Sequence, residues 1–134
     1  MAENIRVLLI EPMKEPRLET VEHTLENLQK LVGGDIQAVY PWEDYVGLVC
    51  SDEGKILGYP ANRLLCDEDG EPYDVVCGPF FICGLSTEDF CSISDEMAEK
   101  YTRKFQHPEL FMRTARNTVL CFKLGSGEPP LEIK

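Results

Sequence analysis

Residues 17–51, RLETVEHTLENLQKLVGGDIQAVYPWEDYVGLVCS, carry the pattern on which the fold turns. Leu25, Leu28, Leu31 and Val32 fall at i, i+3, i+6 and i+7, which at 3.6 residues per turn is one stripe of a helix. Glu22, Glu26, Asn27, Gln29 and Lys30 take its other face. Thr24 is the predicted N-cap, because its hydroxyl can accept an orphan backbone N–H. Gly33-Gly34 stops the helix, since glycine enters the left-handed conformation of a C-cap without steric cost. So short a helix is marginal alone in water, and its stripe must be buried on something. Arg17 to Glu22 alternates as a half-exposed strand before the helix. After it, 36–40 and 45–51 read as strands, with Asp52-Glu53-Gly54-Lys55 as a turn into a third at 56–58.

Outward from this stretch, Ile5 to Ile10 is β-branched and almost wholly apolar, the pattern of a strand buried on both faces. Pro12 and Pro16 bracket a loop. The start is therefore strand, strand, helix, strand, strand, an order that the β-grasp arrangement shares with others. Residues 59–74 read as an irregular connection. Val75 to Leu85 reads as one buried strand with a bulge or bend at Gly78-Pro79, whose glycines would admit a ligand or another backbone. Ser86 to Asp89 suggests a helical turn. Ser94 caps a helix over 95–105, with Asp95 and Glu96 in the first turn and Arg103 and Lys104 in the last, as the helix dipole favours. Met97, Tyr101 and Phe105 make its stripe. Leu110 to Met112 predicts a short helix after Pro108, 117–124 a last strand, and 125–134 a flexible tail. The expectation is one α+β domain over 1–124, a mixed or mostly antiparallel sheet with a C-terminal helix packed on it.

At 134 residues the chain is long enough for one core without staples. Its six cysteines include no C-x-x-C pair, and four sit in apolar runs, so reduced core thiols are expected rather than disulfides or zinc ligands. No basic region followed by an apolar core opens the sequence and no run approaches a membrane span, which predicts a cytoplasmic protein away from membranes. The net charge of −11 is unevenly spread. Residues 43–99 carry 2 basic and 14 acidic groups, whereas 100–123 carry 6 basic and 1 acidic. An acidic middle repels phosphates, so direct duplex binding is not expected; the charge fits simple solubility, a basic protein partner or a surface that imitates nucleic acid.

Chemistry is sparse. His23 and His107 lie in no motif, and there is no G-x-S-x-G, P-loop or G-x-G-x-x-G. Asp67 to Glu71 is acidic, but with Gly70 in the glycine position of an EF-hand loop the first and last ligand positions fall on Leu65 and Val76, so a solvated turn is expected. Trp42 and Tyr45, beside Pro41, fit an exposed aromatic contact or the core equally well. No catalytic residue, metal site or cofactor is predicted.

Two groups of residues resemble a known family. Thr24-Leu25, Leu28 and Val32-Gly33-Gly34 are similar to its first signature; Asn62-Arg63, Tyr73-Asp74, Gly78 and Phe80-Phe81-Ile82-Cys83-Gly84 are similar to its second. The family is the domain of unknown function 3846, found in bacterial genomes, phages and conjugative elements, and the resemblance covers about 5–105. It leaves 106–124 as an extension. It implies an accessory role in a mobile element and no established catalytic residues. Asn62, Arg63, Tyr73 and Asp74, polar and inside the matching pattern, are the candidate ligand-binding residues. The leading expectation is a non-enzymatic protein acting through protein contacts. The alternative is a small-ligand-binding or sequestering module with a pocket near Asn62 and Arg63, and an enzyme with a site invisible in sequence comes third. A homodimer through free strand edges is also open.

Overall fold

The computed structural model describes residues 3–133. Asn4–Ile10 (β1) and Arg17–Glu22 (β2) form an antiparallel hairpin, Leu25–Val32 (α1) follows, and Ile36–Val39 (β3) pairs antiparallel with Val46–Ser51 (β4). Ala61–Cys66 (β5) and Pro72–Cys77 (β6) make a separate hairpin. Phe80–Leu85 (β7) then returns to the main sheet, antiparallel to both β1 and β4. Phe90–Cys91 (β8) pairs with the end of β7. After Asp95–Lys104 (α2), Glu109–Arg113 (β9), Val119–Lys123 (β10) and Leu131–Ile133 (β11) form a three-stranded antiparallel sheet.

The main sheet runs β2-β1-β7-β4-β3. The last long strand, β7, stands between β1 and β4 and runs antiparallel to both, whereas a β-grasp pairs its first and last strands in parallel. Composition accounts for that place. Phe80, Phe81, Ile82 and Cys83 are all 0 % exposed, and four successive apolar residues can be hidden only in a strand covered on both faces. Val7 to Ile10 in β1 is buried in the same way.

Alternation along these strands feeds two cores. One face gives Ile5, Val7, Leu9, Val49, Phe81 and Cys83 to a cluster closed by Leu28 and Val32 of α1. The other gives Leu8, Ile10, Leu48, Phe80 and Ile82 to a cluster closed by Ala98 and Tyr101 of α2, by Phe105 at its C-cap and by Leu65 and Val76 of the β5–β6 hairpin. Both helices begin as their caps predict: Thr24 Oγ1 accepts from Asn27 N at 3.2 Å and Ser94 Oγ from Met97 N at 3.2 Å. Gly33 ends α1 at φ 80°. Leu25, counted in the stripe, is instead exposed.

Several local expectations give way. Residues 52–58 are a turn rather than a turn and a strand, and Ile56 stands in solvent. The connection 59–74 contains β5 and β6, its prolines sitting just before the one and at the first residue of the other, where no ladder donor is lost. The single strand expected over 75–85 is two, in different sheets, joined at Gly78-Pro79. Another backbone does come close: a Cβ on Gly84 would lie 2.5 Å from the Ser92 carbonyl oxygen. Ser86 Oγ accepts from Asp89 N at 3.1 Å, but the turn feeds β8 and no helix. Residues 110–112 belong to β9, not to a helix. In the predicted flexible tail, Leu131–Ile133 pairs with β10.

Candidate functional site

Asn62 and Arg63 are buried completely, each 0 % exposed, and every direction they face is occupied by the chain itself. Arg63 Nε and Nη2 donate to the Phe105 carbonyl at the end of α2 at 3.2 and 3.0 Å. Nη2 also donates to the Lys14 carbonyl at 2.7 Å, and Nη1 to Asn62 Oδ1 at 2.8 Å. Asn62 Nδ2 donates to the carbonyls of Ile10 and Gly78, both at 2.9 Å. Buried polar groups are tolerated when so paired. Burial pulls the Arg63 pKa down, and the Glu109 carboxylate opposes that pull. Glu109, itself buried, accepts from Leu64 N at 2.8 Å and from Cys121 Sγ at 3.2 Å. The pair therefore fastens the end of β1, the loop after it, the β6–β7 link and the C-terminus of α2 to one another. It offers nothing to a ligand from solvent.

The other two candidates part company. Asp74 is exposed and ion-pairs with Lys55, beside a small cavity of ≈ 110 Å³ between β4 and the hairpin. Tyr73, 57 % exposed, faces a larger cleft of ≈ 710 Å³. The structure thus does not assemble the four into one site.

That cleft has three walls. The loop from β3 to β4 brings Tyr40, Trp42, Glu43 and Asp44. The β5–β6 hairpin brings Cys66, Asp67, Glu68 and Tyr73, and α2 brings Lys100, Tyr101 and Lys104. Spacing explains the last wall, because 97, 100, 101 and 104 share one helix face. Trp42 packs against Tyr101 with ring centroids 4.5 Å apart and planes tilted by 42°, and lies 5.9 Å from Phe105, so the rim is anchored in the core. Asp44 Oδ2 accepts from Lys100 Nζ at 2.5 Å and from the Tyr101 hydroxyl at 2.6 Å. Lys100 first and Tyr101 second hold the Asp44 pKa below the usual carboxylate range. Burial and then Asp44 push Tyr101 well above an ordinary phenol. Lys104 Nζ stands 5.9 Å from the Trp42 ring centroid, a cation–π distance. Tyr40 is 60 % exposed, so aromatic surface is open to solvent beside carboxylates.

Nucleophilic chemistry finds less support in the geometry. All six cysteines are free thiols. Burial pushes Cys50, Cys66, Cys77 and Cys121 up and Cys83 up to about 12, away from the reactive thiolate. His23 faces Asp89 and His107 Nδ1 lies 3.1 Å from the Leu124 carbonyl oxygen. Among the described residues no group of three or more His, Cys, Asp or Glu is placed to hold a metal ion. Among them, too, no helix is long and apolar enough to cross a membrane. The Asp67–Glu71 turn spends a carboxylate on itself, Asp67 Oδ1 accepting from Asp69 N and Glu71 N, both at 2.9 Å.

A family model described as a domain of unknown function, DUF3846, matches residues 5–106, most of the chain. The chain belongs to the DUF3846 family. The matched region ends just after α2, so the DUF3846 core comprises the main sheet, both helices and the β5–β6 hairpin, and the sheet β9–β11 lies beyond it. No curated protein and no solved structure matches the chain. Within the DUF3846 core, Tyr40, Glu43 and Asp44 were not picked out from the sequence, and Asp67, Glu68 and Lys104 were read only as a solvated turn and a helix end. A signal existed in the clustering of three aromatic and two acidic residues over 40–45, YPWEDY, which neither a strand nor a helix pattern explains.

Proposed function

We propose that this chain is a non-enzymatic accessory protein of a mobile element or phage that works by binding a basic protein partner. The observation that carries the reading is the cleft. Four carboxylates, those of Glu43, Asp44, Asp67 and Glu68, line it against two lysines, and open aromatic rings lie among them. Exposed carboxylates steer a cationic partner into place, and aromatic rings supply contact area once it arrives. Glu43 and Glu68 are exposed and join none of the ion pairs among the described residues, which leaves their charge available, and Asp67, which also closes its turn, is exposed beside them.

The test is a pull-down with the tagged full chain at low and high salt, repeated with Glu43, Asp67 and Glu68 changed to Gln. A basic protein held in stoichiometric amount at low salt, released by high salt and lost from the triple variant is the expected result. Equal capture by the variant, or no partner at either salt, overturns the reading. A second reading, a small-ligand module, is favoured by the cleft volume, which falls in the range of ligand pockets; its pocket would be this cleft and not the surroundings of Asn62 and Arg63. Thermal stabilisation by a metabolite, absent from the variant, is its test.

A further inference from the structure

We infer that the cleft receives one cationic side chain of the partner, a lysine, an arginine or a methylated ammonium, against Trp42, and that Lys104 holds that position until the partner arrives. The inference rests on the proposed binding of a basic partner and names the chemistry of the contact.

Three features lead to it. Trp42 is fixed by its packing on Tyr101 and Phe105, so its indole is a rigid platform. Indole is the best of the aromatic faces for a cation, and rings beside carboxylates are the general means of recognising ammonium groups. Tyr73 and Tyr40 supply further ring surface on the same cleft, and Glu43, Asp67 and Glu68 the counter-charge. Second, the position already attracts a cation: Lys104 Nζ is 5.9 Å from the indole centroid. Third, that cation is held by little else. Lys104 is exposed and joins none of the ion pairs among the described residues, whereas Lys100, one turn away, is committed to Asp44. A long side chain on the last turn of α2 can swing out and give its place to a cation from outside.

An anionic ligand would use the same residues differently. A nucleotide would stack its base on Trp42 and need Lys104 for phosphate. Replacing Lys104 therefore separates the two, because it removes a competitor in one case and a ligand in the other.

Trp42 is the single tryptophan of the chain, so its fluorescence reports on the cleft directly. The 134-residue chain is titrated with tetramethylammonium, with a short arginine-lysine peptide and with ATP. The expected result is a saturable change with the two cationic probes. Lys104→Gln tightens it about two- to fivefold, and Tyr73→Ala and Glu68→Gln each weaken it by about the same factor. Circular dichroism is the control, and these exposed substitutions should leave the spectrum unchanged. No saturable change with either cationic probe overturns the inference. So does weaker binding by Lys104→Gln, and so does ATP binding that this variant abolishes. Salt-sensitive capture of a basic partner that Tyr73→Ala leaves unaltered would retain the proposed function and remove this contact from it. Cation binding in the cleft with no captured partner would do the reverse.

Discussion

Arg63 shows how much one side chain can be asked to hold. In Arg63→Met the length and most of the volume remain, but the carbonyls of Phe105 and Lys14 lose their donor. Each buried group left unpaired costs about 1–3 kcal/mol, so a fall in melting temperature of roughly 5–15 °C is expected in thermal denaturation. Asp74→Asn, at an exposed ion pair, should move the same transition by little. The cleft makes a prediction about pH. Asp44 is depressed in the folded chain, so its contribution to stability is present above the free carboxylate value of 3.8 and fades as pH falls through the folded value. Tyr101 is raised, so stability holds up to the free phenol value of 10.0 and declines as pH climbs towards the folded one. In Tyr101→Phe the alkaline limb of a stability–pH profile should flatten. The thiols Cys83 and Cys121, buried and raised, should resist alkylation at pH 8 until denaturant is added, as mass spectrometry would register. At this scale the sequence was half legible. Asn62-Arg63 stood out as polar among apolar neighbours, but that contrast marks a buried network as readily as a binding site. What decides is the position of partners such as Ile10 and Phe105, which lie 52 and 42 residues away and leave no local trace.

Elements with strong periodicity and good ends were the ones the sequence specified. Both helices follow from a 3.6-residue stripe between a hydroxyl cap and a stop, and the caps are made as expected. Ser94→Ala should destabilise by about 0.5–2 kcal/mol, measured by urea unfolding. Short strands were less legible, because five or six residues with one proline carry little pattern. Residues 110–112 are apolar without a period that tells helix from strand, and only pairing with 120–122 settles the matter. β7 was visible as a buried run, yet its place between β1 and β4 is a long-range choice. That place has a tight spot at its end. Gly84→Ala would drive a methyl against the Ser92 backbone, and a loss of about 1–3 kcal/mol is expected in the same unfolding experiment.

Across the whole molecule, two charged side chains, Arg63 and Glu109, are buried and hold the fold, and most of the remaining charge lies at the surface. The two cores use apolar alternation alone, and the excess of acid lies on turns and on the rim of the cleft. Raising salt should thus weaken the proposed partner binding far more than it alters stability. The acid excess could be counted in the sequence, but its gathering with aromatic rings could not, because the three walls of the cleft come from 40–44, 66–73 and 100–104. The sheet beyond residue 106 has its own consequence. Glu109 reaches back to the Leu64 N–H at the edge of β5, a bond that ties the DUF3846 core to the β9–β11 sheet. The family match thus ends before Glu109, the residue that satisfies the Leu64 N–H. A fragment cut at 106 would keep every residue of the family match and lay bare a strand edge with an unsatisfied donor and buried leucines behind it, a template for self-association. Such a fragment should scatter light and precipitate where the full chain stays dispersed, and a truncation meant to remain soluble ought to run through β11.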